Sequence, residues 1–144
     1  MSNWNKRFSE LAVNVSKWSK DESTQVGAII VDENRTILST GYNGIPRGCE
    51  DSPQRQIRPQ KYFYFEHAEK NAIYNAARTG TKLDGSSIYV TMFPCVDCAR
   101  AIIQSGIRRI ISPEADLSNP NWKESFKYSI ELLSEAGIII EKSE

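Results

Sequence analysis

The sequence predicts an α/β fold: a single-domain, three-layer α/β/α sandwich around a mixed central sheet of about five strands. Three observations point to it. Two apolar segments, residues 26–31 and 36–40, flank a four-residue polar turn, as an antiparallel pair does. From about residue 66 onward, helical and strand patterns alternate, which builds parallel strand–helix–strand units with helices on both faces of the sheet. No linker or low-complexity tract divides the 144 residues, a length that suits one domain spanning residues 1–144.

Each element has a local reason. Trp4, Phe8, Leu11, Val15 and Trp18 recur at spacings of four and three, so the opening segment is a helix with one apolar face. That stripe is a core face and carries no chemistry. Val26–Val31 and Thr36–Thr40 are strands joined by the turn Asp32-Glu33-Asn34-Arg35. Gly41–Gly48 is glycine-rich and reads as loop. Residues 49–61 are polar, and Pro53 and Pro59 argue against regular structure there. A helix is expected from about Glu66 to Arg78, with Gly80 as its cap. Ser87–Thr91 is a strand, and a second helix follows Pro94 and ends near Gly106. Residues 108–111 form a short strand, 122–136 a helix ending at Gly137, and 138–140 a last strand.

Composition narrows the class. Eighteen Lys and Arg balance eighteen Asp and Glu, so no long polyanion is an expected partner. With 40% apolar residues, a chain of this length can bury a core without disulfides. No apolar run approaches the roughly 18–20 residues that span a bilayer, and the start lacks a secretory stretch. A cytoplasmic protein is the expectation. Its three cysteines, Cys49, Cys95 and Cys98, then belong to metal or redox chemistry rather than to disulfides. There is one histidine, His67.

His67-Ala68-Glu69 opens one expected helix and Pro94-Cys95-Val96-Asp97-Cys98 opens the next. The 24 residues between Glu69 and Pro94 suffice for a helix, a turn and a strand, so both helix starts can meet at one end of the sheet. Two residues between cysteines let both sulfurs reach one metal from a single helical turn, and imidazole with thiolates suits zinc. A helix N-terminus also favours thiolate over thiol. Three ligands leave the open position of a catalytic zinc, whereas a structural zinc is closed by four. Glu69 lies about 200° around the helix from His67 and can approach that position as a general acid and base. The pattern His-x-Glu with Pro-Cys-x-x-Cys is the signature of zinc-dependent base deaminases, which hydrolyse an amidine-like carbon. Taken alone, Cys-x-x-Cys also fits a redox pair or a chance spacing, and Cys49 offers a fourth ligand that would close the site.

Beyond the two zinc motifs, the chain resembles the deoxycytidylate (dCMP) deaminase family of the cytidine deaminase-like superfamily. Lys20–Ala28 looks like that family's first loop and strand, Gly41–Cys49 like its nucleotide loop, and His67–Ile73 and Phe93–Ala99 like its catalytic segments. Ile103–Ile107 follows in kind.

The resemblance implies conversion of dCMP to dUMP and ammonia, feeding thymidylate synthesis. It implies one catalytic Zn2+ per chain held by His67, Cys95 and Cys98, with Glu69 catalytic. It further implies that Asn43 holds the sugar, while the Ala68 amide and the Phe93 carbonyl hold the base edge. For Asn43-Gly44 the local alternative is a simple tight turn. Four basic residues, Arg47, Arg55, Arg58 and Lys61, stand against Glu50 and Asp51 in the following loop, which fits a small phosphorylated substrate. Arg47 and Lys20 are the phosphate candidates. Tyr62, Phe63, Tyr64 and Phe65 offer base stacking, a subunit contact or core packing. Residues 50–66 hold neither Cys nor His, so a second zinc is not expected. A homo-oligomer such as a hexamer, and dCTP or dTTP as effectors, also follow from the resemblance. Other readings are a deaminase of cytidine, modified dCMP, guanine or tRNA adenosine, and a non-catalytic zinc and nucleotide-binding module.

Overall fold

The computed structural model describes residues 3–143; residues 1, 2 and 144 of the expected domain lie outside it. The elements run α1 (Trp4–Ser16), β1 (Gly27–Val31), β2 (Ile37–Tyr42), α2 (Lys61–Tyr64), α3 (Ala68–Thr79), β3 (Ser87–Val90), α4 (Val96–Gln104), β4 (Arg109–Ser112), α5 (Lys123–Glu135) and β5 (Ile139–Lys142). One five-stranded sheet has the order β2-β1-β3-β4-β5. β1 is antiparallel to both β2 and β3, and β3, β4 and β5 are parallel. The mixed sheet expected from the sequence is therefore the one found.

Side chains alternate across this sheet, and the two faces form two cores. Ile29, Val31, Tyr89 and Ile111 pack with Phe8, Ala12 and Val15 of α1. Ala28, Ile30, Ile88, Val90 and Ile110 pack instead with residues of α3, α4 and α5, including Ala72, Ile102, Phe126 and Leu133. Period-two alternation in the strands and one buried stripe on each helix thus yield three layers. Burying these aliphatic and aromatic side chains contributes roughly 1.5–3 kcal/mol each before the entropy of ordering is counted.

Two segments differ from the sequence reading. Gly41 and Tyr42 belong to β2, paired with Ala28 and Gly27. A Cβ on Gly41 would collide with the Ala68 carbonyl and the Ala72 backbone nitrogen, so glycine lets α3 lie directly against the sheet. Residues 53–56 form a 3-10 turn and 61–64 a short helix, within a stretch expected to be irregular. Pro53 occupies the first helical position, where a missing N–H costs nothing.

Three strand ends converge on one edge. β1 begins at Gly27 opposite Tyr42, where β2 ends, and Thr91, just after β3, donates its N–H to the Gly27 carbonyl (3.1 Å). Val26, Asn43 and Phe93 consequently lie together beside the starts of α3 and α4. No helix among the described residues is long and apolar enough to cross a membrane.

Candidate active site

His67 and Cys95 are the residues immediately preceding α3 and α4, both in extended conformation, and their carbonyls accept the first helical N–H bonds from Asn71 and Ala99. Cys98 lies one turn into α4 and is fully buried. This placement brings His67 Nδ1 to 3.4 Å from each sulfur. All three donor atoms lie within 4.8 Å of one another. One imidazole and two sulfurs converging from two helix starts form a donor set suited to zinc. Cys49 is exposed and is not part of this group, so nothing brings the fourth ligand weighed above to the site.

The surroundings hold this geometry. The Ser125 hydroxyl accepts the Val96 N–H, and the Ser129 hydroxyl donates to the Pro94 carbonyl, both at 2.8 Å, so α5 clamps the loop carrying the cysteines. Lys70 on α3 reaches Asp97 on α4 at 2.9 Å and Glu66 at 3.6 Å, linking the two helix starts. Trp122 stands edge-on to His67 with ring centroids 6.3 Å apart.

Electrostatics follow the geometry. A hydrogen bond to Cys95 holds the His67 imidazole up to about 9 despite its burial. Hydrogen bonding from Cys98, aided by His67, pulls the Cys95 thiol well below its ordinary value. Cys98 moves the opposite way, pushed up by the same sulfur–sulfur contact and by burial. Glu69 is 4% exposed, and burial raises its carboxyl to about 7, with the nearby Cys95 adding to the effect.

A cavity of about 710 Å3, its open mouth included, lies over this group. His67, Ala68, Glu69 and Cys95 form its floor; Asn43, Val26, Thr24 and Asp21 line one side. Phe65, Tyr62, Lys61 and Arg58 line another, and Met92, Phe93, Trp122 and Phe126 complete it. Phe93 and Phe126 meet edge to face at 5.6 Å. Asn43 is nearly buried: its amide donates to Asp21 (3.2 Å) and the Thr24 carbonyl (2.9 Å), and its Oδ1 accepts the Val26 N–H (2.9 Å). It is thus more than a tight-turn residue, with one Oδ1 lone pair left for a ligand. Ala68 is the first residue of α3, where a backbone N–H has no intrahelical partner.

Lys20 and Arg47 do not line this cavity. The Lys20 side chain is 80% exposed and reaches Asp51 at 3.9 Å. Arg47 lines a separate depression with Tyr42, Ile45, Asn71 and Asn75. Of the aromatic run, Tyr62 and Phe65 line the cavity, whereas Phe63 is 85% exposed. The sequence reading missed Asp21, Trp122 and Phe126 as cavity residues. For Trp122 and Phe126 the available signal, an apolar helix face, is indistinguishable from core.

A buried carboxyl beside one imidazole and two thiols, opening onto one cavity, defines a zinc-dependent deaminase site. Residues 2–113 match the model of the cytidine and deoxycytidylate deaminase zinc-binding region. The chain is 45% identical to an uncharacterized deaminase in the luxG 3′ region of Aliivibrio fischeri, over 96% of this chain and 92% of that one. It is 43% identical to human deoxycytidylate deaminase over 75% of this chain, and the match spans 63% of the human enzyme. Among solved structures, the dCMP deaminase of cyanophage S-TIM5 in complex with dCMP and dUMP superposes with a TM-score of 0.80 at 27% identity, covering 99% and 98% of the two chains. The chain belongs to the cytidine and deoxycytidylate deaminase family.

Proposed function

We propose that this chain is a dCMP deaminase that converts dCMP and water into dUMP and ammonia in the cytoplasm, supplying dUMP for thymidylate synthesis. The observation that carries the reading is Glu69, a buried carboxyl beside His67, Cys95 and Cys98 on the floor of a cavity that also holds Asn43. The dCMP and dUMP bound in the cyanophage relative support the choice of substrate. Zinc, held by His67 Nδ1 and the two sulfurs, would lower the pKa of water towards neutrality and so supply the nucleophile.

The chain's own groups do the rest. Glu69 takes a proton from the attacking water and delivers it to N3 of cytosine as the oxygen bonds to C4. It then carries the second proton from that oxygen to the departing amine, leaving a C4 carbonyl, a protonated N3 and ammonia. A buried carboxyl positioned beside the reacting atoms can transfer a proton in both directions. The Ala68 N–H and the Phe93 carbonyl meet the base edge, Asn43 accepts from a sugar hydroxyl, and the surrounding aromatic rings exclude water.

Ammonia release from dCMP, CMP, deoxycytidine, dCTP and guanine, with zinc measured on the same sample, tests the reading. Fast turnover of dCMP at about one zinc per chain is expected. Turnover of another amine while dCMP is inert overturns the substrate, and no turnover at all favours a binding module. The same reading extends to a homo-oligomer, consistent with the exposed Tyr62 and Phe63, and to dCTP and dTTP as effectors. Sedimentation with and without those triphosphates tests both.

A further inference from the structure

The charged side chains lining the cavity are Asp21, Arg58, Lys61, His67 and Glu69. His67 and Glu69 belong to the floor and its chemistry. Lys61 is buried, ion-paired to Asp21 and bonded to Ser23 Oγ at 2.8 Å, so its charge is neutralised inside the wall. Arg58 is left as the one lining cation, among the described residues, that meets no carboxylate. It is exposed, yet it is held: its Nε donates to the Tyr62 hydroxyl at 2.8 Å, and its guanidinium carbon lies 5.9 Å from the centre of the Tyr62 ring. Tyr62 thereby occupies the inner donor and leaves the terminal amino groups of the fork available. A planar fork with two parallel donors matches the oxygens of a phosphate monoester.

We infer that Arg58, oriented by Tyr62, is the residue that reads the 5′-phosphate and makes the site prefer a nucleotide to its nucleoside. Lys20 and Arg47, the candidates from the sequence, lie outside the cavity lining. The inference rests on the nucleotide reading above and deepens it by naming the group that reads the phosphate.

The test uses the zinc-loaded protein and two readouts. In the first, binding of dUMP and of deoxyuridine is measured by calorimetry, independently of turnover. In the second, kcat/KM is measured for dCMP and for deoxycytidine. In the wild type both readouts should favour the phosphorylated ligand. R58M should reduce that preference about 10- to 100-fold, the range expected for hydrogen bonds to a charged group. R58K should recover only part of it, since a point charge replaces a fork. Y62F should give a smaller loss of the same kind, because it loosens the guanidinium without removing it.

Full retention of the preference in R58M overturns the inference, as does a larger loss in K20M or R47M than in R58M. Equal binding of dUMP and deoxyuridine by the wild type also overturns it. If dCMP is not turned over but dUMP binding still depends on Arg58, the substrate reading falls while this inference stands.

Discussion

Lys61 and Asp21 form a buried ion pair, their side chains 8% and 3% exposed, that joins the aromatic wall of the cavity to the wall carrying Asn43. Asp21 is the hub. Its Oδ1 accepts from the Ser23 N–H and hydroxyl and the Thr24 N–H, and its Oδ2 from Asn43 and Lys61. The loop before β1, the residue after β2 and the start of α2 are thereby locked to one another.

Breaking this pair leaves a buried charge without its partner. K61M should lower stability by about 3–5 kcal/mol, whereas replacing both members by apolar residues should cost less. Denaturant unfolding of K61M and of the double variant checks the difference. A K61M midpoint equal to that of the wild type would show that Asp21 is satisfied without Lys61.

The same hub sets a pH dependence. Burial acts to raise the Asp21 pKa, but hydrogen bonds from Lys61, Ser23 and Thr24 outweigh it and hold the carboxyl below its ordinary value. A depressed folded-state pKa contributes stability that is present above the unfolded value and is lost as pH falls through the folded one. Stability should therefore decline below about pH 4, the ordinary range for an aspartate. D21N should be less stable at neutral pH and show a flatter profile in that acid window. Urea midpoints between pH 2.5 and 7 decide it.

In the reaction proposed above, Glu69 carries both proton transfers. E69Q should lose about 10²- to 10⁴-fold in kcat, the usual worth of a positioned acid–base group, while its zinc content stays at the wild-type level. Ammonia release and elemental analysis on one sample separate loss of chemistry from loss of metal. An E69Q variant with wild-type kcat would remove Glu69 from the reaction.

The ligand set predicts which cysteines matter. C95A and C98A should each retain less zinc after dialysis against a chelator and lose activity with it, because three donors are then reduced to two. C49A, altered at an exposed position outside the group, should keep zinc and activity at the wild-type level. Loss of zinc from C49A would restore the closed, four-ligand site.

Gly41 couples the sheet to the chemistry. A Cβ there meets the backbone of Ala68 and Ala72, so G41A must push the first turns of α3 away from β2. Overpacking of this kind costs about 1–3 kcal/mol. Because that turn carries His67 and Glu69, kcat should fall along with stability. Thermal unfolding and turnover measured together test the coupling, and an unchanged kcat would show that α3 moves without carrying its first turn.

The class of chemistry was legible in the sequence because its ligands are local in pattern. His-x-Glu and Pro-Cys-x-x-Cys each sit within one helical turn, and helix and strand periods were strong enough to place the elements that bring them together. The apolar stripe of the first helix was legible as a core face, but which strand residues it meets came from the structure. Short segments were harder: Gly41-Tyr42 looked like loop because glycine favours turns, yet pairing with β1 and the approach of α3 decided otherwise. The walls of the cavity came only from tertiary structure. Asp21 meets Lys61 across forty residues of chain, Trp122 reaches His67 from the far end, and Arg58 rather than Arg47 or Lys20 lines the cavity. Such contacts leave no periodic trace, because they depend on how loops pack over a finished sheet. Residue types and spacing by themselves determined the metal-binding donor set and placed a carboxyl beside it, because both are local in the chain; the packing of distant segments decided which side chains surround them.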